Sequence, residues 1–249
     1  MKKILLRGSL FILVSAVIPL LGGIAIAYSE RSLGTAWYDS YRGSSEQAPP
    51  AATHRDAVVQ VYAARAAGWR GVFGVHSWIA YKKPGADRYV RTEVIGWGAR
   101  YRESVVVTRN GTPDNFWYGS KPAVLADLRG EAAERVIGRL ETLVENYAYR
   151  ERYRVWPGPN SNTYTAFLLR KIDELQVDLP PTAIGKDYVD RIGFQAVPSN
   201  TGFQFSARGY FAITLALDEG IEINLLGATY GVDLYPLALK LPCIGRIGF

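Results

Sequence analysis

The 249-residue chain has one cysteine, Cys243, one methionine and two histidines. A lone cysteine excludes an intramolecular disulfide framework. Within "LKLPCIGRIGF" it reads as a small buried residue in a Pro/Gly-bounded tail. His54 and His76 are too few for a His-rich metal centre, and no CxxC, HExxH or carboxylate-rich calcium loop occurs. The sequence therefore calls for no metal and no cofactor. Clustered basic charge is lacking too. The formal net charge is +6, Lys2, Lys3 and Arg7 supply three of those charges, and the rest are interspersed. Nucleic-acid binding finds no support in that pattern.

What is abundant is apolar and aromatic. Hydrophobic residues make up 48% of the chain, with 16 Tyr and 6 Trp, so an ordered body with a sizeable core is expected rather than a disordered one.

The first 30 residues, "MKKILLRGSLFILVSAVIPLLGGIAIAYSE", read as an export segment. Cations come first, then an apolar run from Leu10 to Ala27, then "AIA" at 25–27 as a small-residue cleavage site. The run exceeds an ordinary signal core of about 7–15 residues and approaches the roughly 20 of a membrane span. Signal-anchor and cleaved signal both fit residues 1–28; the length favours the anchor. Cations before the span place the body on the far side of a bacterial inner membrane, facing the periplasm or exterior. A buried core helix is the alternative, but the run lacks an amphipathic period.

Residues 29–56 are dense in Ser, Gly and Pro and read as a linker, with His54 solvent-exposed in it. Residues 57–249 read as a single α+β domain: an antiparallel sheet with packed helices. Strands are expected at 57–65, 71–82, 88–98 and 104–109, the middle two forming a hairpin around "KPGAD". Residues 121–151 have helical period through Ala132, Val136, Leu140 and Leu143. "WPGP" at 156–159 forms a rigid elbow, and a helix is expected to begin near Ser161 and run to Leu175. Residues 202–217 and 221–234 return to β. The apolar stretch 223–242 is not read as a second span, since Asp233 and Pro236 interrupt it.

Three elements carry candidate chemistry. His76 falls on the first strand of the hairpin, Glu93 on the second, and Asn160-Ser161-Asn162-Thr163 opens a helix. A helix N-terminus offers free N–H groups to developing negative charge, a strand-borne His can act as base, and a carboxylate can orient it. The plainer readings are a helix cap at Asn160 or Ser161, a satisfied core His76, and a Glu93 paired with Arg91. Trp78 and Trp156, with Asn160 and Asn162, are candidate binding residues. Tryptophans at 69, 78, 97 and 117 either line a groove or fill the core.

"GWRGVFGVHSWIAYK", "EVIGWG", "WPGPNSNTYTA", "LPPTAIGKDY" and "LLGATYGVDLYPLALKLPCIGRIG" together resemble the bacterial family called Domain of Unknown Function 3750, from about residue 57 to the C-terminus. Cys243 stands where that family's "LPGIGR" has glycine. The resemblance implies an uncharacterised envelope-associated protein. A weaker likeness is to circularly permuted papain-like domains, such as lecithin retinol acyltransferase and the NlpC-type cell-wall peptidases. It implies a permuted papain-like arrangement with His76 as base, Ser161 in the nucleophile's place and Glu93 as orienter; serine replaces the usual cysteine. Two functions follow: a cell-envelope binding or structural module, or a hydrolase or acyltransferase acting on amide or ester bonds of peptidoglycan or lipid.

Overall fold

The structure, a computed structural model, describes Arg7 and residues 13–248. A π-helical turn at Leu13–Val17 runs into helix α1, Ile18–Ser29. Pro19, Gly23 and Ala27 recur every fourth position and form its buried stripe. The stripe has to be small: a Cβ on Gly23 would lie 2.5 Å from the Val72 carbonyl oxygen and 2.6 Å from Cys243 Cβ. The opposite side, including Leu13, Val14, Ile18 and Leu21, is exposed. The expected span 10–27 begins outside the described residues. Among the described residues no helix is long and apolar enough to cross a membrane.

The Ser/Gly/Pro-rich segment after α1 lies along the body. Ser44 Oγ donates to Asp114 at 2.8 Å, and the backbone N–H groups of Gln47 and Ala48 donate to the same carboxylate at 2.6 and 3.1 Å. His54, expected in solvent, is half-buried, with a buried Nε2, because the turn around it folds back onto Pro50.

The first sheet comprises β1 (Val58–Arg65), β2 (Val75–Lys82), β3 (Val90–Val94), β4 (Val106–Asn110) and β5 (Ala123–Arg129), ordered β4-β3-β2-β1-β5 and antiparallel throughout. The expected hairpin is β2–β3, with Ile79 paired to Thr92. Residues 68–72, expected as strand in part, form a 3-10 turn. β5 lies where a helix was expected. Gly130, at φ +65, breaks the chain there, and helix α2 occupies only Gly130–Glu145. Leu125 and Leu128, three residues apart, have helical spacing; pairing with β1, with a register shift opposite Val61 and Tyr62, makes the segment a strand. Helix α3, Ser161–Leu169, starts as expected but stops before Leu175. Ile172 and Leu175 stay fully buried, so their spacing reported burial rather than helix.

Both faces of this sheet are covered. On one, Val59, Val61, Ile79 and Tyr81 pack under α2 and α3. On the other, Tyr62, Trp78 and Ala80 pack under Trp117. Burying each such side chain contributes about 1.5–3 kcal/mol.

The second sheet is a meander: β6 (Ile192–Ala196), β7 (Gly202–Ala207), β8 (Phe211–Ala216), β9 (Gly220–Leu225), β10 (Ala228–Leu234), β11 (Leu237–Leu241) and β12 (Gly245–Gly248), each paired with the next. Its faces are inverted relative to an ordinary half-covered sheet. Gln204, Thr214, Glu222, Asn224, Asp233 and Lys240 are buried, while Phe203, Leu215, Ile223, Leu225 and Leu237 are exposed. Lys240 anchors the inner face, with Nζ 2.7 Å from Asp178, 2.9 Å from Glu222 and 2.8 Å from Asp233. Lys186 Nζ adds a contact of 2.7 Å to Glu222. The chain is thus a mixed α/β protein with two antiparallel sheets and few helices.

Candidate functional site

The nominated residues meet at the head of β2. The ladder that pairs Ile79 with Thr92 sets Glu93 beside Trp78, diagonal to His76. His76 Nε2–H donates to Glu93 Oε2 at 2.8 Å. The same oxygen accepts from Arg91 Nη2 at 2.7 Å, and Oε1 accepts from Arg109 Nη2 at 3.4 Å. Burial would raise the Glu93 carboxyl, but the His76 hydrogen bond and Arg91 overcome it and hold the group at about 2. Burial drives His76 below its ordinary value, Arg91 adds to that, and the Glu93 bond does not reverse it. The pair is therefore a carboxylate bonded to a neutral imidazole. The network assigns the proton to Nε2 and leaves Nδ1 as the acceptor.

Ring stacking fixes the imidazole. Its ring centroid lies 3.9 Å from that of Trp117, at an interplanar angle of 14°, and 5.7 Å from that of Trp78, at 26°. Trp97 extends the stack outward from Trp117, and Tyr62 extends it inward from Trp78. The Arg91 guanidinium sits 4.1 Å over Trp78. Trp78 is fully buried and belongs to this stack rather than to the cleft surface.

The helix start is built separately. Asn160 caps α3: its Oδ1 accepts from the N–H groups of Asn162 and Thr163, and Thr163 Oγ1 accepts from Asn160 N–H. Ser161 is thus the first helical residue and not the cap. Its hydroxyl has no hydrogen bond among the described residues. The 184–185 turn closes over this end, with Ile184 O accepting from Asn160 and Asn162 at 2.9 Å each and Gly185 O from Thr163 Oγ1 at 2.8 Å. Only glycine fits at 185, where φ is +98 and a Cβ would come 2.4 Å from Asn160 Nδ2. Asn162 Nδ2 also donates to Val75 O at 3.0 Å, so α3 is fastened to β2. In the elbow before the cap, the Trp156–Pro157 and Gly158–Pro159 peptide bonds are both cis.

Alternation along β2 decides which side chains can meet. Ser77 faces α3, donating to Asn162 Oδ1 and Thr165 Oγ1 at 2.9 Å each. His76, one residue earlier, joins the Trp78–Trp117 face. His76 and Ser161 accordingly come from opposite faces of β2 and make no hydrogen bond with each other. They meet only as walls of one cleft of about 800 Å³ at the strand's end. Trp69, Phe73, Trp97, Trp156 and Leu226 form its exposed apolar wall. Trp156 is held there by its Nε1–H donating to Leu226 O at 2.9 Å.

The structure joins His76 to Glu93, brings Ser161, Asn160, Asn162 and Trp156 into the same cleft, and buries Trp78 beneath it. Sequence reasoning missed Ser77, Phe73, Ile184 and Leu226. The alternation of "VHSW" was the available signal for Ser77; nothing local announced Leu226, which arrives from the second sheet. A concavity of similar size, about 880 Å³, between residues 28–41 and 116–121 holds none of the nominated residues. Among the described residues no group of His, Cys, Asp and Glu could hold a metal ion.

The two-sheet α/β architecture with a cleft at the head of β2 defines the class of protein. The chain belongs to the family described as "Protein of unknown function (DUF3750)", whose model matches residues 56–188, just over half of it. The match covers the first sheet and the whole 184–185 closure but stops before β6, short of the C-terminus to which the resemblance was expected to extend. Neither the curated proteins nor the solved structures contain a match.

Proposed function

We propose that this is a membrane-anchored, extracytoplasmic envelope protein whose cleft binds an amphiphile, with an apolar chain against the aromatic wall and a polar group at His76 and Ser161. One observation carries the reading: an exposed apolar wall of Trp69, Phe73, Trp97, Trp156 and Leu226 stands over a floor with few polar groups. Ligand sites of this composition are apolar pockets with a small number of orienting polar atoms. The Nδ1 of His76 and the Ser161 hydroxyl supply those atoms. The apolar run with Lys2, Lys3 and Arg7 before it supports the anchor and the outward orientation. The test is titration of the purified chain with a fluorescent acyl-chain phospholipid and with a soluble peptidoglycan fragment. Saturable lipid binding weakened at least tenfold by Trp156→Ala supports the reading. Binding of the glycan fragment alone would reassign the ligand, and binding of neither would remove the cleft from the function.

A second reading is favoured by the His76–Glu93 pair and the unpartnered Ser161 at a helix start. It makes the protein a hydrolase or acyltransferase on lipid or peptidoglycan esters or amides, on a permuted papain-like arrangement. Ser161 would attack, His76 would take its proton and Glu93 would orient the imidazole. This reading requires the cleft to close His76 Nδ1 onto Ser161 when substrate binds. Covalent labelling by a fluorophosphonate, lost in both Ser161→Ala and His76→Ala, would select it over simple binding.

A further inference from the structure

Among the described residues most of the outer face of the second sheet is exposed, and its register shows how apolar it is. One row of paired residues runs across six strands as Phe203, Leu215, Ile221, Val232, Leu239 and Ile247. The adjacent row, from Phe194 through Ile223 to Tyr230, is apolar as well. No Asp, Glu, Lys or Arg stands in either row. One residue away in register, the inner row reads Gln204, Thr214, Glu222, Gly231, Lys240 and Arg246. Contiguous exposed apolar surface across the strands of one sheet marks contact with a partner or a membrane.

Continuity with the N-terminal segment identifies the occupant. Tyr230, in the second of these rows, donates from Oη to Ser15 O at 2.5 Å. The apolar segment thus reaches the sheet on its outer face. A Cβ on Gly22 would lie 2.8 Å from the Ile244 side chain, so α1 also closes against the β11–β12 turn. Leu13, Val14, Ile18 and Leu21 of that segment are exposed like the sheet residues. Helix and sheet form one apolar surface. Exposed Arg191 and Arg208 flank it at the β6–β7 corner, where Ile192 pairs with Ala207. Strands of 4–7 residues are shorter than the roughly 9–11 that a spanning strand needs, which leaves a face laid on the membrane rather than a barrel through it.

We infer that the outer face of the second sheet rests on a lipid bilayer, its aliphatic rows among the acyl chains and its corner arginines at anionic headgroups. This contact is additional to the N-terminal anchor and independent of what the cleft binds. A second copy of the chain covering the face is the competing arrangement.

The experiment uses the full chain carrying Cys243→Gly, with single cysteines placed by Ile223→Cys, Leu239→Cys or, on the exposed side of α2, Glu134→Cys. Each is labelled with an environment-sensitive fluorophore and mixed with phosphatidylethanolamine/phosphatidylglycerol vesicles containing spin-labelled lipid. The expected result is blue-shifted emission and severalfold stronger quenching at 223 and 239 than at 134. Leu215→Glu should reduce that quenching while far-UV circular dichroism stays unchanged. Water-like emission at 223 and 239 in vesicle-bound protein, or no vesicle binding at all, would overturn the inference. So would a blue shift that appears without lipid and grows with protein concentration, which would assign the face to a second copy.

Discussion

The two sheets solve opposite problems. The first is covered on both sides, and its buried Arg91 lies over Trp78 while donating to Glu93. The second turns its charges toward the protein and its aliphatic rows away from it. Strand periodicity is the same in both. What differs is the layer each sheet faces: α2 and α3 offer the first sheet aliphatic side chains, whereas residues 170–187 offer the second Arg170, Asp178, Lys186 and Asp187. Arg170 is fastened into that polar layer, donating to Ala196 O at 2.7 Å and to Lys186 O at 2.8 Å. An alternating strand therefore defines two faces without saying which is the inside.

The contrast can be broken first at Lys240. Its ammonium is shared by three carboxylates, so Lys240→Met strands buried negative charge. A loss of about 3–5 kcal/mol in chemical denaturation is expected. A loss below about 1 kcal/mol would mean that the second sheet does not depend on its inner charges. Next comes a paired truncation. Ile79→Ala, in the core of the first sheet, should cost about 2–5 kcal/mol. Ile223→Ala, on the outer face of the second, should stay within about 0.5 kcal/mol in aqueous buffer. Equal costs would erase the distinction between the two apolar faces.

Acid sharpens the comparison. Glu93 is held at about 2 against an ordinary 4.5. Its contribution to stability is complete above about pH 4.5 and is lost as pH falls toward 2. The loss is on the order of 3 kcal/mol. His76, depressed below its ordinary 6.5, erodes stability in the same direction, beginning at higher pH. Glu93→Gln should be less stable at neutral pH yet flatter between pH 4.5 and 2, as followed by denaturation midpoints across a pH series. The helix start comes last. Asn160→Ala should cost about 0.5–2 kcal/mol, whereas Ser161→Ala should stay within about 0.5 kcal/mol. A large cost for Ser161→Ala would make that residue part of the scaffold.

Much of the first sheet was legible in the sequence because "KPGAD" and two β-branched runs leave one local solution. The helix start at Ser161 was legible for the same reason, since cap chemistry is local. β5 was not, because Leu125 and Leu128 have helical spacing and only an irregular pairing with the distant β1 makes the segment a strand. Proximity of His76 and Glu93 followed from hairpin register. The face on which His76 lies relative to α3 did not, because a shift of one residue exchanges His76 for Ser77. The inversion of the second sheet was hidden in the polar layer around residues 170–187, whose position against β7–β11 is a property of the whole chain.

Leu226 has a consequence for supply. It forms the tip of the turn between β9 and β10, at φ +54, and it also stands in the wall of the cleft beside Trp156. One side chain thus belongs both to the rim of the face inferred to rest on lipid and to the mouth of the cleft proposed to bind the ligand. With that face on a bilayer, a sparingly soluble ligand reaches the cleft by sideways diffusion within the leaflet, without crossing water. Occupancy is then governed by the mole fraction of ligand in the membrane, not by its aqueous concentration. Diluting the vesicle lipid with inert lipid at constant total ligand should empty the site, while diluting the buffer should leave it filled.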